Sequence, residues 1–238
     1  MSLSEPTQLI VALDFPKPNA ALEFVDEMKG LPLVFKVGLE LFMSGGPDLV
    51  RELVHRKQRV FLDLKMYDIP NQVAKAAQQL AFLHVEMMTL HIAGGSVMVK
   101  QVAKELSEIP NLRPKILGVT VLTSFDDTHW AEVTKSLTGH PARPGDSVSG
   151  MIAAASDWGL DGVVCSAKEL SYVRKNFPSL YTVVPGIRPQ GSDQNDQARV
   201  VTPAEAHQLG AHAVVVGRPI TASSQPRKSA EAILKDLC

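Results

Sequence analysis

Residues 61–70 read FLDLKMYDIP, an apolar stretch that becomes charged at its carboxyl end. Side chains two positions apart on a β-strand share a face, so Asp63 and Lys65 are predicted to point the same way. Asp68 follows them, and Pro70 discourages any further regular strand. The stretch therefore predicts a buried strand that ends in three charges. Such charges form either a solvated turn or a polar site built on a rigid element.

Short apolar runs of this kind alternate with helical stretches along the whole chain. Eight runs are predicted to be strands: 9–14, 33–38, 59–65, 85–91, 115–122, 161–166, 181–186 and 213–218. Eight segments with helical spacing are Asn19–Lys29, Pro47–Arg56, Asn71–Leu83, Ser96–Leu106, Ser147–Trp158, Ala167–Asn176, Pro203–Leu209 and Ser229–Leu237. This alternation predicts an α/β fold of the (β/α)8, or TIM-barrel, type. A doubly wound sheet is the alternative, but the first strand continues into LDFPKP rather than a glycine-rich turn.

Length and charge limit the class of protein. The chain has 238 residues, which is enough for one barrel or for two smaller domains. It contains no linker, charge block or low-complexity region, so we expect residues 1–238 to form a single domain. The net charge of −1 gives no reason to expect a nucleic acid or an anionic membrane as a partner.

The chain also lacks the sequence signs of export or of a metal cluster. Its start, MSLSEPTQ, has no basic region of the kind that opens a signal peptide. No stretch approaches the ~20 apolar residues that a membrane span requires. The two cysteines, Cys165 and Cys238, cannot form a disulfide framework, and nothing near them suggests metal ligands. We therefore expect a cytoplasmic protein with reduced cysteines.

Two loops between the predicted elements are longer than a connection requires. One runs from residue 123 to about 146, and the other from 186 to 202, with the sequence GIRPQGSDQNDQARVVT. Long loops in a compact barrel are usually functional or mobile. The second loop is polar and contains two glycines, as expected either of a lid over a ligand or of a loose surface excursion.

Charged residues collect at the carboxyl ends of the first three predicted strands. Barrels of this type carry their active sites at those ends. The residues concerned, in chain order, are Asp14, Lys36, Asp63, Lys65 and Asp68. A single charge at a strand end is usually solvated, but buried charges persist when they are paired, and these alternate in sign. The pattern favours a catalytic site, while His91 at the fourth strand end is expected to have a supporting or structural role.

Several motifs together give this sequence a recognisable pattern. FLDLKMYDIPN, with VALD before it, FKVG on the second strand and LTS on the fifth, resembles the orotidine 5′-phosphate decarboxylase family. VPGIRP, NDQARVVTP and VVVGRPIT also match that family, and the motifs run in order from about Leu9 to Ile233. The resemblance implies decarboxylation of orotidine 5′-monophosphate to UMP without a cofactor, the last step of de novo pyrimidine synthesis.

The resemblance also implies roles for the charged residues. Lys65 would be the general acid that protonates C6 of the pyrimidine, and Asp63 would lie against the substrate carboxylate. Lys36 and Asp14 would hold the charged network and the ribose hydroxyls. Asp68 would enter the site of the partner subunit in a homodimer.

Further substrate contacts are implied by the same motifs. Thr123 and Ser124 would meet the edge of the pyrimidine and Pro185 its face. On the phosphate side the resemblance places Arg188, Gln197, Gly217 and Arg218. Ile69 and Gln72 complete the implied contacts, although Gln72 stands where the family commonly has a shorter threonine.

Two other functions are compatible with part of the pattern. Metal-dependent sugar-phosphate enzymes, such as 3-keto-gulonate-phosphate decarboxylase and hexulose-phosphate synthase, share the Asp63-x-Lys65-x-x-Asp68 spacing. They bind their metal with an acidic residue on the second strand, where this chain has Lys36, and a lysine would repel the ion. The other alternative is a non-catalytic phosphate-binding barrel, which loss of Lys65 or Asp63 would favour. Both residues are present, so the decarboxylase is the preferred interpretation.

Overall fold

In a computed structural model that describes residues 6–189 and 201–238, the strands close into a parallel barrel. The described strands are β1 Gln8–Ala12, β2 Leu33–Gly38, β3 Arg59–Met66, β4 Met87–His91, β5 Lys115–Val119, β6 Gly162–Val164, β7 Tyr181–Val184 and β8 Ala213–Val216. Each strand pairs with the next one in the chain, and β8 pairs with β1. The predicted (β/α)8 barrel is confirmed, and the doubly wound alternative is wrong.

Helices surround the barrel and begin at positions that suit their first residues. In the described ranges they are α1 Pro18–Glu27, α2 Leu39–His55, α3 Pro70–Ala81, α4 Gly95–Ser107, α5 Asp127–Thr138, α6 Pro144–Trp158, α7 Leu170–Asn176, α8 Pro203–Gln208, α9 Arg218–Thr221 and α10 Pro226–Asp236. Several start with proline, whose fixed φ and missing N–H fit the first turn. Each of the eight predicted helices overlaps an observed one. None of these helices has the length and apolar character needed to cross a bilayer.

Two helical regions differ from the prediction. The second helix begins at Leu39, not at Pro47, with a kink at Gly46 where φ is 58°. The predicted loop at 123–146 contains α5, which Asp126 caps by accepting a hydrogen bond from the His129 N–H. That helix has no buried residue, so the apolar periodicity that predicts a helix is weak there. Most of the second long loop, residues 190–200, lies outside the described residues.

Apolar side chains fill the barrel and separate it from the helices. One buried cluster lies inside the barrel: Ile10, Val34, Phe61, Met87, Leu117, Val183 and Ala213. Because side chains alternate along a strand, their neighbours face outward and pack against the helices in a second, larger cluster. The residue two positions further along each strand returns to the inside, one layer nearer the carboxyl end. On β2, β3 and β4 that residue is Lys36, Asp63 and Thr89.

Candidate active site

Four of the predicted charges form a chain of alternating sign above the apolar floor of the barrel. Lys65 Nζ donates to Asp63 Oδ2 at 2.8 Å. Lys36 Nζ lies 3.8 Å from the same oxygen and 3.4 Å from Asp14 Oδ1. Asp63 is only 8% exposed, and two ammonium groups face it. This pairing is what allows a carboxylate to stay charged away from water.

The end of β3 is less regular than simple alternation predicts. Leu62 pairs with Met88 and Met66 with Leu90, so a step of four residues on β3 matches a step of two on β4. Within this bulge Lys65 has φ of 50°, a left-handed conformation that is uncommon for residues other than glycine. Asp63 and Lys65 do meet, as predicted, but the bulge rather than an ideal strand brings them together.

Thr89 is part of this arrangement, although sequence analysis missed it. It lies on β4 and is fully buried. Its hydroxyl accepts the Lys65 backbone N–H at 2.9 Å and donates to Asp63 Oδ1 at 2.9 Å. The signal that predicts it is a polar residue two positions after Met87, in the same layer as Lys36 and Asp63.

A cavity of about 260 Å³ opens beside the two lysines. Lys36, Asp63 and Lys65 form its polar wall. The remaining lining is mostly apolar and includes residues that lie on β5 to β8 or directly follow β5 and β6: Val119, Val121, Leu122, Val164, Cys165, Val183 and Val215. The predicted contacts Thr123, Ser124 and Pro185 also line this cavity. A flat, mostly apolar ring with polar edges suits such a space.

A second, cationic cavity of about 180 Å³ adjoins the first, since Lys36 and Pro185 line both. Gly217, Arg218 and Arg188 line it as well, together with Asp14. Arg188 is 7% exposed, and its buried Nε has no hydrogen-bond partner among the described residues. Burial and the nearby charge of Arg218 lower the pKa of Arg188. Two guanidinium groups this close favour an anion between them.

Comparison with known proteins agrees with this geometry. The sequence model of the family "Orotidine 5'-phosphate decarboxylase / HUMPS family" matches residues 7–233. The chain belongs to this family. Its relatives include the orotidine 5′-phosphate decarboxylase of Moorella thermoacetica, 42% identical over 97% of this chain and 92% of that protein. Another, from a Synechocystis species, is 40% identical over 98% of both chains.

Solved structures support the same assignment. The crystal structure of orotidine 5′-phosphate decarboxylase from Lactobacillus acidophilus superposes with a TM-score of 0.83. The sequences are 34% identical, and the match covers 97% of this chain and 99% of the other. The family and the barrel predicted from the sequence are thus confirmed.

Some residues that the orotidine 5′-phosphate decarboxylase motifs single out lie apart from the two cavities. Asp68, Ile69 and Gln72 are absent from the described linings of both. Asp68 and Gln72 instead line a separate cavity with Tyr67, and the Asp68 carboxylate accepts the Ile69 N–H at 2.6 Å. Within the described part of one chain, Asp68 and Lys65 thus line different cavities. Gln197 lies outside the described residues.

Burial shifts the pKa of two other ionisable groups near the site. Burial and the charge of Lys65 lower the pKa of His91, whose ring pairs with that of Tyr67 at 6.0 Å. Burial raises the pKa of Cys165, so its thiol is a poor nucleophile even though it lines the first cavity.

Proposed function

We propose that this chain decarboxylates orotidine 5′-monophosphate to UMP and CO2, the last step of de novo pyrimidine synthesis. It is a carboxy-lyase of the family named above. The observation that carries the proposal is the Lys65–Asp63 pair, 2.8 Å apart, at the wall of an apolar cavity that adjoins a cationic one. A nucleotide has matching parts, a flat base and a phosphate joined by a ribose.

The two cavities suggest how the nucleotide lies. The pyrimidine fits the apolar cavity, with Thr123 and Ser124 at its polar edge and Pro185 on its face. The phosphate fits the cavity that Arg188, Gly217 and Arg218 line. Lys36 and Asp14 then lie near the ribose hydroxyls between them. We extend the phosphate-side assignment to Gln197 from its motif alone.

Lys65 supplies the positive charge and the proton that the decarboxylation step requires. The bond between C6 and the carboxylate carbon breaks, CO2 leaves, and the electron pair stays on C6 in the plane of the ring. No π-system delocalises that pair, so a nearby positive charge and a proton must stabilise it. The Lys65 ammonium provides both, and its proton forms the new C6–H bond of UMP.

Asp63 and the phosphate side complete the proposed mechanism. The substrate carboxylate would lie against the Asp63 carboxylate, and its loss as CO2 would relieve the repulsion between them. Enzymes remove ~8–23 kcal/mol from a barrier, whereas one proton donor accounts for ~3–5 kcal/mol. The remainder must come from positioning, and binding of a distant phosphate is suited to that task.

We also propose that the enzyme is a homodimer in which Asp68 enters the partner's site. Five exposed apolar side chains follow three neighbouring strands, β2, β3 and β4: Leu39, Met43, Tyr67, Ile69 and Val97. These side chains are 57–82% exposed, and a group of exposed apolar side chains is typical of a surface that another protein covers. Asp68 and Gln72 lie on the same side of the barrel, so a second copy that covers these residues would receive both across a two-fold axis.

The proposed compartment is the cytoplasm. Both cysteines, Cys165 and Cys238, are free thiols. Free thiols are typical of a reducing compartment.

Decarboxylation should proceed at its full rate in excess EDTA. Lys36 Nζ lies between the carboxylates of Asp14 and Asp63, at 3.4 and 3.8 Å, so an ammonium already neutralises the oxygens that a divalent ion would need. The assay follows the loss of orotidine 5′-monophosphate absorbance with and without EDTA. Activity that disappears in EDTA and returns with Mg²⁺ would contradict the expectation, and no decarboxylation in any condition would overturn the proposed function.

Replacing Arg218 with alanine should lower kcat/KM for the nucleotide much more than for the phosphate-free nucleoside. The Arg218 side chain is exposed in the described structure, and losing its charge-assisted hydrogen bond to a bound phosphate costs about 1.5–3 kcal/mol, which is roughly a 10- to 150-fold loss. The measurement compares kcat/KM of both substrates for the variant and the wild type. Arg51→Ala is the matched control, since Arg51 is exposed and pairs with Asp48 on the outside of the barrel. Equal losses on both substrates would show that Arg218 does not meet the phosphate.

A further inference from the structure

The Thr89 hydroxyl joins two groups that the proposed mechanism needs. It uses its single proton toward Asp63 Oδ1 and a lone pair toward the Lys65 N–H, both at 2.9 Å. Its residue is fully buried, so water does not compete for either bond. A single side chain on β4 therefore contacts both partners of the Lys65–Asp63 pair.

The bond to the Lys65 N–H stabilises an unusual backbone. The bulge in β3 removes this amide from the regular ladder between β3 and β4. A backbone N–H without a partner is costly, and the left-handed φ of 50° adds strain that the surroundings must support. Thr89 provides the missing acceptor. The direction in which the Lys65 side chain leaves the backbone thus depends on a hydroxyl of the next strand.

The bond to Asp63 orients its carboxylate. Oδ1 accepts from Thr89, whereas Oδ2 faces Lys65 Nζ at 2.8 Å and Lys36 Nζ at 3.8 Å. Without the Thr89 bond the carboxylate could rotate about its terminal torsion, which is broad for aspartate. The Thr89 hydroxyl therefore holds Oδ1 in place and leaves Oδ2 facing the ammonium groups of Lys65 and Lys36.

We propose that Thr89 is a positioning residue for the reaction, which sets the geometry of Lys65 and Asp63 without touching the nucleotide. The inference rests on the proposed function. Thr89 is not among the described residues that line either cavity. Its hydroxyl should therefore affect the chemical step more than the binding of the nucleotide, whose phosphate is held by residues that follow β7 and β8.

The test replaces Thr89 with valine, which keeps the shape but removes the hydroxyl. Thr89→Val should lower kcat about 10- to 100-fold, the effect of one hydrogen bond to a charged group. The affinity for UMP, measured by titration calorimetry, should stay within about three-fold of wild type. Thr89→Ser retains the hydroxyl and should restore kcat to within about three-fold. If the valine protein does not fold, Thr89→Ala is read by the same assays.

Thr182→Val is the matched control. Thr182 is also fully buried, near the amino end of β7, and its hydroxyl contacts His212 Nδ1 at 2.9 Å. Its loss should lower stability but leave kcat unchanged. A wild-type kcat in Thr89→Val would overturn this inference alone. The same conclusion would follow if Thr182→Val lost as much kcat, or if Thr89→Val lost UMP affinity as strongly as it lost kcat. It would also follow if Thr89→Ser failed to restore kcat. An inactive wild-type protein would overturn the proposed function together with this inference.

Discussion

Lys65→Ala is expected to lower kcat by about 10⁴-fold or more. The substitution removes the proton donor, worth ~10²–10⁴-fold, together with the positive charge that faces the developing electron pair at C6. It also leaves Asp63 without its partner at 2.8 Å. Steady-state assays with a large amount of enzyme would measure the residual rate. A variant that keeps more than about 1% of the wild-type kcat would contradict the role of general acid.

Two companion variants separate the causes of that loss. Lys65→Arg keeps a positive charge, but a guanidinium releases its proton far less readily and has a different shape. We expect this variant to be slow as well, and a nearly active one would show that charge alone suffices. Lys175→Ala, an exposed substitution on α7, is the control for loss of any lysine and should match the wild type.

Two inactive variants are expected to regain activity when their chains are mixed. Asp68→Ala and Lys65→Ala should each be inactive alone if Asp68 serves the partner's site. A mixed dimer would hold one site with both lesions and one with neither, so random mixing should restore about a quarter of the wild-type activity per site. The structural reason is that Asp68 is separate from the cavity that Lys65 lines in its own chain.

A matched mixture controls for other causes of recovery. Lys65→Ala mixed with Asp63→Ala should stay inactive, because both residues line the same cavity of one chain and every site would carry a lesion. Chains with two different affinity tags would show by co-purification that the subunits have exchanged. If exchange is demonstrated and the first mixture still has no activity, Asp68 acts in its own chain and the shared site is wrong.

The barrel could be predicted because its signals are local. Alternating strands and helices, and prolines at helix starts, are visible in short windows of sequence. The same alternation placed Lys36 and Asp63 near the carboxyl ends of neighbouring strands, and the structure finds them together. The helix α5 was not predicted because none of its residues is buried, so its sequence lacks the periodic apolar residues that indicate a helix.

Other features of the site depend on contacts between distant segments. The bulge at Lys65 reflects a shift in register between β3 and β4. Thr89, 24 residues further along the chain, accepts the hydrogen bond of the Lys65 backbone N–H there. The closeness of Arg188 to Arg218 likewise follows from the pairing of β7 with β8. Strand register and the partners of buried polar groups are settled only when neighbouring strands pair, since both hydrogen bonds of Thr89 join β4 to β3. Residue types and their order along the chain were therefore enough for the fold and most of the charged groups, whereas the geometry that makes them a site arises from packing.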